Sequence, residues 1–73
     1  MKTAQMVRDI RMAATSRGIR FSVVRSSGKH DVWRLGATVQ IPIPRHGEIG
    51  PKMELEIRKQ CEPELGPRWW RTQ

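Results

Sequence analysis

Apolar residues recur at helical spacing near the start of the chain. Met6, Val7, Ile10, Ala13 and Ala14 fall on one stripe, with Arg8, Arg11 and Thr15 off it. Met12 lies about 200° from Ile10, alone on the far side. The stripe predicts a helix over residues 4–17, with Thr3 as its N-cap and Gly18 as the left-handed residue that ends it. The period then changes from helical to alternating. Residues 19–25 read as a strand with Ile19, Phe21 and Val23 on one face, and residues 26–29 read as a turn. A second strand is expected over 30–35. Gly36-Ala37 then reads as a two-residue hairpin, since a type II′ turn favours glycine first. A third strand, 38–43, puts Val39, Ile41 and Ile43 on one face. Pro42 cannot donate to a ladder, which suits a sheet edge.

Residues 44–50 form a loop. Gly50 and Pro51 open a second helix that runs to about Cys61, with Met53, Ile57 and Cys61 at i, i+4 spacing and Leu55 less well placed. Glu54 and Glu56 come early in this helix, and Arg58 and Lys59 late, as the helix dipole prefers. Pro63 is expected to stop it. The element order is α-β-β-β-α. It predicts an α+β fold with two helices on one face of a three-stranded antiparallel meander. At 73 residues the chain makes a single domain, with its core over about 4–61 and a C-terminal tail, 62–73, that contains Trp69 and Trp70.

Charge narrows the function. The formal net charge is +7, and it is uneven: residues 1–34 carry +6 and residues 35–73 carry +1. A basic half implies nucleic acid or an anionic membrane. No segment is long and apolar enough to span a bilayer, no signal-peptide h-region is visible, and the first helix lacks the aromatic anchors of an interfacial helix. Nucleic acid is the better reading, and no membrane partner is expected. Cys61 is the only cysteine, so no intrachain disulfide and no zinc site is expected, and the chain suits a reducing cytoplasm.

The only two histidines lie in Gly28-Lys29-His30 and Pro44-Arg45-His46, at strand edges. Alternation puts His30, Val32 and Arg34 on one face of the second strand, and Asp31, Trp33 and Leu35 on the other. With Trp33 and Leu35 under the helices, His30 and Arg34 sit on the open face and Val32 is exposed. Asp31 then points away from His30. No carboxylate pair or metal-ligand cluster is visible, so neither a metal nor a small-molecule cofactor is expected. RNA can be cut without metal, because its 2′-hydroxyl is a built-in nucleophile. An imidazole titrates close enough to neutrality to take that proton. Fixed cations on the phosphate would add to this, and Lys29, Arg34, Arg25 and Arg45 are the nearest candidates.

Plainer readings stand beside these. A turn histidine is most often a solvated turn residue, and a basic face can serve solubility alone. His46 reads as structural or RNA-contacting rather than catalytic. Trp69-Trp70 most simply packs the tail onto the domain, although base stacking or a partner anchor is the sharper alternative. Cys61 reads as core.

The run Arg25-Ser26-Ser27-Gly28-Lys29-His30-Asp31-Val32-Trp33-Arg34 resembles the Arg-x-x-Gly-Ser-His-His-hydrophobic-aromatic-Arg segment of the HicA toxins. Val39-Gln40-Ile41-Pro42-Ile43-Pro44-Arg45-His46 resembles their strand that ends in Pro-Arg-His. Lys29 stands where the family has serine, and Asp31 where it has a second histidine. The resemblance covers most of residues 4–61. It implies a fold like a double-stranded-RNA-binding domain and an mRNA interferase of a type II toxin–antitoxin pair. It also implies His30 as the catalytic histidine and a HicB-type antitoxin protein as the partner that masks it. The alternatives are a non-catalytic RNA-binding module of the same fold and a pure protein-interaction domain.

Overall fold

A computed structural model describes residues 1–71; Thr72 and Gln73, the end of the expected tail, lie outside the described residues. The architecture is α+β, with the expected order. Helix α1 (Thr3–Ser16) leads into a three-stranded antiparallel meander of β1 (Phe21–Ser27), β2 (His30–Leu35) and β3 (Val39–Pro44). Helix α2 (Pro51–Gln60), the single turn α3 (Glu62–Leu65) and a 3-10 turn (Trp69–Arg71) follow. One face of the sheet presents Phe21, Leu35, Val39, Ile41 and Ile43. These pack with Met6, Ile10, Ala13 and Ala14 of α1, Ile57 of α2, and Ile49, Cys61, Leu65 and Trp69 into one core.

The C-terminus of α1 ends as expected. Gly18 takes φ +69°, its N–H meets the Thr15 carbonyl, and the Ile19 N–H meets the Ala14 carbonyl at 2.8 Å. The N-terminus differs. Lys2 is the N-cap, and Thr3 is the first helical residue, buried with a hydroxyl that has no partner among the described residues. Here the backbone replaces the side-chain cap. Lys2 pairs with Glu48 as an antiparallel bridge, and the Thr3 N–H donates to the Gly47 carbonyl at 3.1 Å.

Four strand boundaries depart from the sequence reading: β1 begins at Phe21, leaving Ile19 and Arg20 outside the sheet, and β3 runs on to Pro44. β1 runs two residues past 25, because a bulge at Val24 absorbs one residue and lets Ser27 pair with His30. Only Gly28 and Lys29 remain as the turn, with Gly28 at φ +58°. The β2–β3 connection has three residues, 36–38, rather than two. A two-residue loop would set Leu35 opposite Thr38 and turn Val39, Ile41 and Ile43 away from Leu35 and Trp33. The observed Leu35–Val39 pairing keeps all the apolar residues on one face. Pro42 lies on an edge strand, as expected.

The loop is clamped from outside. The Glu64 carboxylate accepts from the Ala37 N–H (3.2 Å), the Thr38 N–H (3.0 Å) and the Thr38 hydroxyl. Gly36 is required here, since it sits at φ +61° and a Cβ would collide with that carboxylate. The Thr38 hydroxyl, followed by the backbone donors, holds the Glu64 carboxyl below its usual pKa.

The second helix buries less than its spacing promised. Ile57 and Cys61 are core, but Met53 is 43% exposed and Leu55 is also open to solvent. Arg58 is buried in their place. It bonds Asp9 and Glu54, each at 3.4 Å, and lies 5.6 Å from the Trp69 ring centre. Helix α2 ends at Gln60 ahead of Pro63, as expected, and a separate turn, α3, follows. Pro63 lies in the first turn of α3, where its missing N–H is tolerated. The segment set apart as a tail belongs to the core: Leu65 is buried, and Trp69 is 1% exposed with its indole N–H on the Arg58 carbonyl at 2.8 Å. Trp69 is therefore not a stacking platform. Trp70 packs edge-on against it and is half-buried. No helix among the described residues is long and apolar enough to cross a membrane.

Two measurements test this packing. Trp69→Ala should remove about 3–5 kcal/mol, as much as a core this small supplies, so circular dichroism should find the variant unfolded at 25 °C. Glu64→Gln should melt below wild type at pH 7. The Glu64 pKa is depressed in the folded state, so its stabilisation is present above the unfolded value of 4.5 and is lost as pH falls through the lower folded value. The gap between the two melting temperatures should therefore close in acid, and an undiminished gap at pH 2 would refute the clamp.

Candidate functional site

Two local features aim side chains at the open face of the sheet. Alternation along β2 presents His30, Val32 and Arg34. The bulge at Val24 does the same for β1. Without it Arg25 would share the face of Phe21; with it Arg25 pairs beside Val32, and Ser27 beside His30. Across β3 the neighbours are Pro44 beside His30, Pro42 beside Val32 and Gln40 beside Arg34. The open face thus carries His30 at one end, with Arg25 and Arg34 along it and Lys29 in the adjoining turn. Val32 among them is half-buried rather than exposed. His30, Lys29, Arg25 and Arg34 are all exposed, and none of the three cations makes an ion pair among the described residues.

Arg45, the fourth expected RNA contact, is engaged differently. Its Nε donates to the Asp31 carboxylate at 2.9 Å, and the Ser26 hydroxyl donates to the same oxygen at 2.7 Å. Asp31 lies on the face opposite His30, as alternation requires. The Ser26 hydrogen bond, opposed by desolvation and aided by Arg45 and His46, holds its carboxyl below the usual range. Asp31 thus joins β1, β2 and the loop after β3, and does not orient His30.

The imidazole of His30 makes no hydrogen bond to another described residue. It stands at the junction of two depressions. One, of 480 Å³, is lined by Gly28, Lys29, His30, Pro44, Arg45 and His46. The other, of 450 Å³, is bounded by His30, Pro42 and Pro44 on the sheet side and by Met53, Glu56 and Gln60 of α2 on the other. Both volumes fall in the range of small-ligand sites. The sequence reading did not bring α2 to His30, nor His46 into the same hollow. The signal for His46 was the pairing register: once Pro44 lies opposite His30, the chain after β3 passes the β1–β2 turn, where the Arg45 N–H meets the Lys29 carbonyl. No group of three or more potential metal ligands is clustered among the described residues.

Cys61 lies far from this chemistry in character. It is wholly buried, and burial pushes its thiol up to about 12, partly offset by Arg58. It is a core residue, not a nucleophile. No protein-family model, curated protein sequence or solved structure matches this chain.

Proposed function

We propose that this chain is a metal-independent endoribonuclease of HicA type, the toxin of a type II toxin–antitoxin pair, acting on mRNA in the cytoplasm. The observation that carries the reading is His30: an exposed imidazole with no hydrogen bond to a described residue, at the end of a face whose cations make no ion pair among the described residues. Arg25 and Arg34 track a phosphate backbone along the sheet, and Lys29 meets the phosphate nearest His30. His30 takes the 2′-hydroxyl proton, and the 2′-oxygen attacks the adjacent phosphorus. DNA, which lacks that hydroxyl, is not cut. A HicB-type antitoxin partner would silence the enzyme by covering His30 and the unpaired cations together.

A non-catalytic RNA-binding module is the second reading. It is favoured by one feature: no described residue orients the His30 ring, whereas catalytic bases are commonly held by a third group. Incubation of the purified protein with mRNA in EDTA separates the two. Wild type should cleave, and His30→Ala should lose about 10²- to 10⁴-fold in rate while keeping its fold and its affinity for RNA. Intact RNA under tight binding would leave only the module.

Salt tests the basic face. If Lys29, Arg25, Arg34 and Arg45 each neutralise a phosphate, log K for single-stranded RNA should fall against log salt with a slope of about −3. Arg34→Ala should flatten the slope by about 0.7. A salt-independent affinity would remove these residues from RNA binding.

A further inference from the structure

The loop that carries His46 is more tightly held than an exposed turn requires. At its start, the Arg45 N–H bonds the Lys29 carbonyl at 3.0 Å, extending the β2–β3 pairing into the β1–β2 turn. In its middle, Gly47 turns at φ +93° and its carbonyl accepts the Thr3 N–H at 3.1 Å. At its end, the Ile49 N–H bonds the Met1 carbonyl at 2.7 Å, and the Ile49 side chain is buried in the core. From beside it, the Ser26–Asp31–Arg45 bonds tie the loop to β1 and β2. His46 is nonetheless exposed. An exposed histidine on an anchored loop shares one hollow with His30, between Lys29 and Arg45.

Gly28 makes the hollow possible. It lines the same hollow as His46, carries no side chain, and has open space where a Cβ would stand. Pro44 also lines it and has no backbone N–H to compete for a phosphate. Two imidazoles thus line one cavity, each with a cation next to it in sequence. His30 takes the base role in the reading above, so the proton for the leaving group falls to the second imidazole of the hollow, His46.

We propose that His46 is the second catalytic residue, the general acid that protonates the departing 5′-oxygen while His30 takes the 2′-hydroxyl proton. The proposal rests on the ribonuclease reading above and deepens it. The 2′-oxygen–phosphorus bond forms and the phosphorus–5′-oxygen bond breaks. The proton from the 2′-hydroxyl ends on His30, and the proton from His46 ends on the 5′-oxygen. The products are a 2′,3′-cyclic phosphate and a 5′-hydroxyl. No oxidant, metal or cofactor is needed. Asp31 holds the loop through its bonds to Ser26 and Arg45, and Lys29 and Arg45 hold the non-bridging oxygens.

The test uses two RNA oligonucleotides, one natural and one with sulfur in place of the bridging 5′-oxygen at the cleaved linkage. A thiolate leaves without protonation, so loss of a general acid matters little on the second substrate. His46→Ala should fold and bind RNA like wild type, cut the natural RNA about 10²- to 10⁴-fold more slowly, and recover to within about tenfold of wild type on the sulfur substrate. His30→Ala should be slow on both. If His46→Ala cuts natural RNA at the wild-type rate, or is equally slow on both substrates, His46 is not the acid. If His30→Ala is the variant that recovers, the roles are reversed and the assignment fails. A wild type that cuts neither substrate sinks the ribonuclease reading, and this inference with it.

Discussion

β2 is bonded on both edges, so its pairing register decides what each of the three strands shows to either side. Six residues alternate between two demands. Trp33 and Leu35 must meet Ile41, Val39 and Phe21 beneath the helices, and His30 and Arg34 must then face outward. A slip of one residue against β3 would send Val39, Ile41 and Ile43 to solvent and destroy the core. The apolar requirement therefore aligns the open face as well. The Glu64 carboxylate reinforces the choice at the loop, and the bulge at Val24 adapts β1 to it. Core and candidate site are the two sides of one register.

The charges divide along the same plane. On the helix side, three arginines have partners. Arg58 is held by Asp9, Glu54 and the Trp69 ring; Arg45 is held by Asp31; and Arg11 lies over the stacked Phe21 and Trp33 rings. Burying a guanidinium without such partners would be strongly unfavourable. On the open face Arg25 and Arg34 are exposed and make no ion pair among the described residues. A chain this small has little core to spare, and it completes that core with Leu65 and Trp69 from its final turns.

Where local chemistry decided the outcome, the sequence was legible. The α1 stripe, the Gly18 stop, the Gly50-Pro51 start and the alternation in β2 and β3 depend on residues a few positions apart, and each appears in the structure. Where a distant partner decided, it was not. Thr3 reads as a cap, but a strand-like contact from residues 47–49 displaced that role. Gly36-Ala37 reads as a tight turn, but the need to keep Val39 inward added a residue to the loop. Met53 reads as core, yet the helix rolls so that Arg58 is buried instead, because Trp69 offers that guanidinium a ring face and Asp9 offers it a carboxylate. Arg25 reached the open face only through a bulge that no residue type announces.

The same division runs through the candidate site. The sequence by itself determined that His30 and Arg34 share a face and that Asp31 does not, because the alternation of a strand is a property of neighbouring residues. It also determined an excess of positive charge in the first half of the chain. Only the tertiary structure decided that His46 and His30 border one hollow, that Arg45 is drawn to Asp31, and that α2 walls the second depression. Those placements depend on register, on loop length and on hydrogen bonds between residues far apart in sequence, and these are settled only when the core closes.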